Sequence, residues 1–374
     1  MKKFFILLVS IMPIFTAYAQ DKAIERTEKL DEIVKSHLHP ESTSPVHSIL
    51  LYAENGKDDY VYHNAVGFAD GKKEKAGNDY QFKIASITKM FTAVVILQLM
   101  EEGKIELETP AHKYLDKIDF IDFDTLHIFQ NNSYGKSITV QNLLNHRSGL
   151  ADIFTDKKED FDAYALSHRQ EQYDASKIFG KYYEYKLNEQ AFFIPGSSYH
   201  YSDMNYVLLG LIAEQITGSH LAQLYRTRIY EPLGMEKTFL EFFESPTHPT
   251  KMAHSFLDNI HITGEVNTSF DWAGGGIVST TDDLALFIKA LFKGGLFRNE
   301  DTLDTMIDPE SKNYGLGISK FQFGESIYYG HGGFWGALLA YSPEKKIVLS
   351  ISINQVNPPF DPLTFVMKIL EILE

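Results

Sequence analysis

Phe82-Lys-Ile-Ala-Ser-Ile-Thr-Lys89 runs without a break into Met90-Phe-Thr-Ala-Val-Val-Ile-Leu-Gln-Leu-Met100. The segment stays apolar on nearly every side until Glu101-Glu102-Gly103, so it reads as a buried helix and not as an amphipathic surface one. Ser86 and Lys89 stand three residues apart at its start, and at helical spacing i and i+3 share a face. A lysine entering a buried helix loses hydration, which favours its neutral form. A neutral amine beside a serine can take the hydroxyl proton and turn the serine into a nucleophile. Two other Ser-x-x-Lys spacings occur. Ser133-Tyr-Gly-Lys136 reads as a polar loop, and Ser342-Pro-Glu-Lys345 as a turn between two β-like runs. Only Ser86 opens a long buried helix.

Upstream, residues 23 to 38 show a charged amphipathic helix pattern, with His37 and His39 at its solvated end beside Pro40. Ser48 to Ala53 and Tyr60 to Phe68 then read as a β-hairpin. Residues 104 to 230 read as helix and loop, and Arg228 to Thr238 as a loop around Pro232-Leu-Gly234. The charged, tyrosine-rich stretch from Thr155 to Leu187 reads as a solvated helical hairpin, with a lid over the site as the alternative. A helix from Ser279 to Phe292 has Thr280, Thr281 and Asp282 as candidate caps. Gly315 to Phe323, Ser326 to Tyr329, Gly336 to Tyr341 and Ile347 to Ile353 alternate as strands, followed by an amphipathic helix from Pro362. The expected architecture is α/β: an antiparallel β-sheet flanked by helices, with an inserted all-α lobe. Residues 20–374 should form one unit, with an α/β lobe at about 23–85 and 235–374 and the α lobe at about 86–234.

Two further segments carry chemistry. Pro195-Gly-Ser-Ser-Tyr-His-Tyr-Ser-Asp-Met-Asn205 is a side-chain-presenting loop before a buried helix, and its Tyr201 and Asp203 alternate, so both can face one cleft. Tyr329-Gly-His-Gly-Gly-Phe-Trp-Gly336 lies on or beside a strand. Its glycines let a substrate approach closely and leave backbone N–H groups free as oxyanion donors.

With Ser86…Lys89, Tyr201…Asp203 and His331…Gly333 in this order, the chain resembles the serine β-lactamase-like family, meaning class C β-lactamases, D-Ala-D-Ala carboxypeptidases of the same type and related esterases. Leu143-Leu-Asn-His-Arg-Ser-Gly-Leu150, Glu231-Pro-Leu-Gly-Met235 and Ala273 to Phe292 also look like the family, and the resemblance covers residues 25 to 355. It implies a β-lactamase/transpeptidase-like fold and catalysis through an acyl-enzyme. Ser86 would attack the carbonyl while Lys89 and Tyr201 move protons; which of the two is the acylation base stays open. The backbone N–H groups of Ser86 and Phe334 would hold the oxyanion, and His331 would shape the cleft wall beside Tyr201 or the substrate. Tyr62-His-Asn64 and Lys293-Gly-Gly295 match fragments of the pattern but fall in a hairpin strand and at a helix end. His146 reads as a structural histidine.

Two departures stand out. The family's asparagine is Asp203 here, so an amide becomes an acceptor-only anion. An anion beside Lys89 favours its charged form, which moves the base role towards Tyr201. The family's lysine or arginine at the third motif is His331, which weakens recognition of a substrate carboxylate. D-amino-acid peptides and small esters or amides are therefore favoured as substrates. A β-lactamase, or a non-catalytic or slow penicillin- or peptide-binding module, is the alternative.

Lys2-Lys3, the apolar run from Phe4 to Phe15 and Ala17-Tyr18-Ala19 form a signal-peptide pattern over residues 1–19, placing the mature chain in the periplasm or outside the cell with no stable membrane anchor. The run is shorter than the roughly 20 residues that span a bilayer. Cysteine is absent, so disulfides and thiolate chemistry are excluded. A formal charge of -15 argues against nucleic-acid partners. The 14 histidines show no metal-ligand spacing, and no metal or cofactor is expected.

Overall fold

The computed structural model describes residues 12–248, 250–307 and 313–374, so the start of the signal-peptide pattern, residues 1–11, lies outside the described residues. Helix α1 spans Met12–Ser36. Strands β1 (Ser48–Asn55) and β2 (Tyr60–Gly67) form the early hairpin, and β3 (Ser319–Phe323), β4 (Ser326–Gly333), β5 (Ala337–Ser342) and β6 (Ile347–Ser352) form the late meander. The two groups join in one antiparallel sheet of order β3-β4-β5-β6-β1-β2, with β1 laid against β6 from Leu50↔Ser352 to Asn55↔Ile347. Central β6 is buried along its whole length because helices cover both faces, hence its unbroken apolar run Ile347-Val-Leu.

On one face, Leu30 and Val34 of α1 and Phe365, Ile369 and Leu373 of the C-terminal helix (Pro362–Leu373) close a core over the sheet. On the other lies the helix Thr281–Phe292, capped by Thr280, whose Oγ1 accepts from the Asp283 N–H at 3.3 Å. Its Phe287 stacks on Phe91 at 3.8 Å between centroids, tying the sheet to α2 (Thr88–Glu101). Every residue of α2 from Thr88 to Leu97 is buried, which accounts for its lack of a polar face. It packs on the helix Met204–Thr217 and on the turn Trp272–Gly275.

Four expectations change. The second late strand does not stop at Tyr329: β4 continues through His331 to Gly333, because Gly332 and Gly333 keep their ladder positions opposite Leu338 and Ala337. Arg226–Leu233 is not a loop but a π-turn and a short helical turn, held by Arg228 on Glu102 at 2.7 Å and by Arg226 on Glu244. His37 is not a solvated helix end; its ring packs on Phe360 and Phe365 at 4.7 and 4.6 Å. The stretch 155–187 is not a solvated hairpin either. Its helices Lys158–Ser167 and Ala175–Glu184 bury Phe161, Ala165, Ile178, Phe179 and Tyr182, and the first of them walls the cleft described next.

Candidate active site

Ser86 sits in a single 3-10 turn, Ala85–Ile87, wedged between the strand Phe82–Lys83 and the start of α2. Ala85 has φ +47°, a left-handed conformation rarely taken by a residue with a side chain. That kink turns the chain from strand to helix in one residue and sets Ser86 at the mouth of the cleft. Strain of this kind persists only where surrounding structure enforces it. Here the Ile84 N–H donates to Ile277 O at 3.1 Å, and Thr88 Oγ1 accepts from the Ile277 N–H at 3.1 Å.

Lys89 is 0% exposed and makes three contacts through Nζ. It donates to Ser86 Oγ at 3.2 Å and to Gly274 O at 2.9 Å, and forms an ion pair with Asp203. Three acceptors match the three N–H bonds of an ammonium. Gly274 makes room for this: a Cβ there would lie 2.6 Å from Asp203 Oδ1. Tyr201 Oη donates to Ser86 Oγ at 2.9 Å, and Lys89 Nζ stands 4.9 Å from its ring centroid. Burial first, then the charge of Asp203, holds the Tyr201 phenol well above its usual range, so it is neutral at physiological pH. The hydroxyl, amine and phenol predicted from two distant segments thus meet on one oxygen atom.

Behind them runs a chain of neutral groups. His146 Nδ1 accepts from the Ser202 N–H at 3.1 Å and faces Asn205 Nδ2 at 3.0 Å, which assigns its proton to Nε2. Nε2 then donates to Tyr314 Oη at 3.2 Å, and Tyr314 in turn faces His331 Nε2 at 3.0 Å. His331 Nδ1–H donates to Gly332 O at 2.7 Å. Burial and the nearby Lys89 charge push His331 down to about 3, so it stays uncharged. His146 stacks on Tyr201 at 4.2 Å and lines no part of the cleft, so it supports the phenol from behind. His331 lies 6.3 Å from the Tyr201 ring, centroid to centroid, and shares no hydrogen bond with it.

Gly332 and Gly333 both line the second of the two cavities described below, and a Cβ at Gly332 would meet open space. A Cβ at Gly333 would instead run into the Ile84 carbonyl oxygen, so its small size also lets β4 approach the Ser86 turn. The next residue, Phe334, has a half-exposed ring, and its N–H meets no backbone acceptor among the described residues. Of the two partial motif matches, Tyr62 and Asn64 both bond Asp31, at 2.8 and 2.9 Å, and Lys293 ends its helix.

Two cavities meet at Ser86, Tyr201 and Phe334. One, of about 220 Å³, is walled by apolar groups including Phe154, Phe161, Val266, Phe270 and Trp335. Lys158 closes its rim, paired with Asp162 and 5.6 Å above the Phe334 ring. The other runs along β4 and β5 towards the C-terminal helix past His331, Leu338 and Ile353, and no charged side chain lines it. Sequence reasoning missed Asp152, Asp271 and Tyr314. Asp152 is buried beneath Asp203, accepting its N–H at 2.8 Å, and burial and the Asp203 charge push its carboxyl up. None of the three lies in a recognisable motif, though Asp271 stands three residues before the glycine cluster of residues 274–276.

Comparison with known proteins identifies a family. The family model described as Beta-lactamase matches residues 52–371. Penicillin-binding protein 4* of Bacillus subtilis is 28% identical over 319 residues, which is 81% of this chain and 62% of that protein. The chain therefore spans less than two thirds of that relative's length. A Salmonella paratyphi A protein that bears the name of a D-alanyl-D-alanine carboxypeptidase is 26% identical, over 79% of this chain and 75% of its own. Among solved structures, a D-stereospecific amidohydrolase from Streptomyces sp. superposes with a TM-score of 0.72 at 25% identity, covering 91% of this chain and 97% of that one. The D-amino acid amidase of Ochrobactrum anthropi SV3 shares the fold, with a TM-score of 0.72 at 24% identity over 92% and 98% of the two chains. The chain belongs to the beta-lactamase family, whose fold and relatives are those of serine hydrolases.

Proposed function

We propose that the chain is an exported serine acyl hydrolase that works through an acyl-enzyme on Ser86, with D-amino-acid peptides and small amides or esters as substrates. The observation that carries this reading is the convergence of Lys89 Nζ and Tyr201 Oη on Ser86 Oγ, at 3.2 and 2.9 Å, where two cavities meet. The leader pattern of residues 1–19 supports export, and no helix among the described residues is long and apolar enough to cross a membrane.

In acylation, Ser86 Oγ bonds to the substrate carbonyl carbon. Its proton passes to Tyr201 Oη as the phenol's own proton moves to the leaving nitrogen or oxygen, and the carbon–leaving-group bond breaks. In deacylation, water repeats the exchange in reverse and returns the proton to Ser86. Lys89, held as an ammonium by Asp203 and Gly274 O, stabilises the negative charge that develops on the two oxygens. The Ser86 and Phe334 N–H groups receive the carbonyl oxygen. Gly333→Ala would push Phe334 away from the Ser86 turn, and kcat should fall about tenfold or more; steady-state kinetics showing an unchanged kcat would remove Phe334 from this role.

The uncharged cavity along β4 and the neutral His331 favour leaving groups without a free carboxylate. Comparing D- and L-amino-acid amides with the corresponding carboxylate-ended dipeptides tests the substrate class. Serine-dependent release from D-amides or D-peptides supports the reading, hydrolysis confined to the L-series counts against it, and hydrolysis confined to carboxylate-ended peptides counts against the preference for an uncharged leaving group. One observation favours a slow-turnover binding module instead: the Lys89–Asp203 ion pair removes a ready neutral base. A long-lived β-lactam adduct in intact-mass spectra would support that second reading.

A further inference from the structure

The carboxylates around the cleft do not balance the cations. Lys83 is paired with Glu241 and donates to Thr268 Oγ1 at 2.9 Å; Lys89 is paired with Asp203, and Lys158 with Asp162. Asp152 has no cation of its own, but it accepts three hydrogen bonds, from the Asp203 N–H at 2.8 Å, the Thr155 N–H at 3.0 Å and Thr155 Oγ1 at 2.9 Å. It also lies outside both cavity linings. Asp271 is the remaining group. Its side chain accepts no hydrogen bond and joins no ion pair among the described residues, and it lines the same apolar cavity as Ser86.

The position of Asp271 is fixed. It ends the 3-10 turn Ser269–Asp271, and the next residue, Trp272, has φ +24°, which a bulky side chain rarely adopts. The Trp272 ring is clamped under Gly210, where a Cβ would lie 2.9 Å from it. Gly275 then separates Asp271 from the Ser86 turn: a Cβ at Gly275 would stand 3.2 Å from Asp271 Cβ and 3.6 Å from the Ala85 carbonyl carbon. The carboxylate and the nucleophile turn therefore flank one small space, with Phe154, Phe161, Val266 and Phe270 as its apolar walls.

We infer that Asp271 is a specificity-determining residue that binds the protonated amine of the acyl donor, so that the site takes amino-acid amides or esters with a free amino group and an apolar side chain, in preference to N-acylated ones. This rests on Ser86 as the nucleophile. A carboxylate left without a donor in an apolar cavity is costly, and a ligand ammonium removes that cost while contributing a charge-assisted hydrogen bond. Burial pushes the Asp271 carboxyl up to about 7 in the unliganded protein, and a bound ammonium would draw it back down. The apolar walls accommodate the side chain, and the uncharged second cavity accommodates a neutral leaving group.

The test is kcat/KM for phenylalaninamide and N-acetylphenylalaninamide, both enantiomers, at pH about 6.5, where an α-amine is protonated. It is run on the full chain and on its Asp271→Asn and Asp271→Glu variants, with a nitrophenyl ester assayed beside the wild type and Ser86→Ala. The free amine should be preferred by about 10- to 100-fold in the wild type. Asp271→Asn should erase that preference through KM, and Asp271→Glu should restore part of it. An equal preference in wild type and Asp271→Asn, preference for the N-acetyl amide, or no amide turnover by a wild type that cleaves the ester would overturn the role of Asp271. Ester cleavage that is absent, or that survives in Ser86→Ala, would overturn the Ser86 reading beneath it.

Discussion

Ser86→Ala is expected to lower kcat/KM on a short-chain nitrophenyl ester by about a thousandfold or more. The substitution deletes a single oxygen, and that oxygen receives both the Lys89 and Tyr201 hydrogen bonds. Lys89 keeps Asp203 and Gly274 O, so its charge stays paired and the fold has no reason to yield. The thermal midpoint should therefore hold while activity disappears. Equal turnover by wild type and variant would mean that another group performs the chemistry, and the account of the site would fall with it.

The second large effect belongs to Tyr201. Tyr201→Phe removes the 2.9 Å hydrogen bond to Ser86 but retains the ring that stacks on His146 at 4.2 Å. Positioning is thus preserved and only the proton path is cut, for which a loss of about 10²- to 10⁴-fold in kcat is expected. His331→Ala should cost less. His331 is neutral, bonds Tyr314 and Gly332 O, and makes no hydrogen bond to Ser86 or Tyr201. For the same reason, His331 should impose no titration on the rate near its ordinary pKa, and an acid limb near pH about 6.5 that vanishes in His331→Ala would contradict its buried, uncharged state. The reverse ranking of Tyr201→Phe and His331→Ala in steady-state kinetics would move the proton path from the phenol to the imidazole.

The parts of the fold that could be read from sequence were those whose pattern reports burial directly. The all-round apolar run of α2 reports packing on every side, and the alternation of a late strand such as β4 reports one buried face, with Ser326 and Tyr328 buried and Ile327 exposed. Ser86, Lys89, Tyr201 and Asp203 could be read for a related reason: each sits in a short local motif, and motif order carried the long-range information. The helix Lys158–Ser167 could not, since Phe161 and Ala165 are its only buried residues and lie among charges that mimic a solvated face. Gly332 and Gly333 could be placed only on or beside a strand, because glycine gives no side-chain alternation, whereas backbone pairing with β5 keeps them in the sheet. Asp271 was invisible for a different reason. A surplus carboxylate is defined by which cations are already paired, and pairs such as Lys83 with Glu241, Lys89 with Asp203 and Arg26 with Asp58, separated by 158, 114 and 32 positions of chain, exist only in the folded molecule.

The central claim is a covalent acyl-enzyme on Ser86. Intact-mass spectrometry after brief mixing with an activated ester or a β-lactam, followed by peptide mapping, tests it most directly. The account predicts one acyl adduct per chain, located on the peptide that contains Ser86 and missing from Ser86→Ala. An adduct mapped to any other residue, or ester turnover with no adduct at any mixing time, would contradict it.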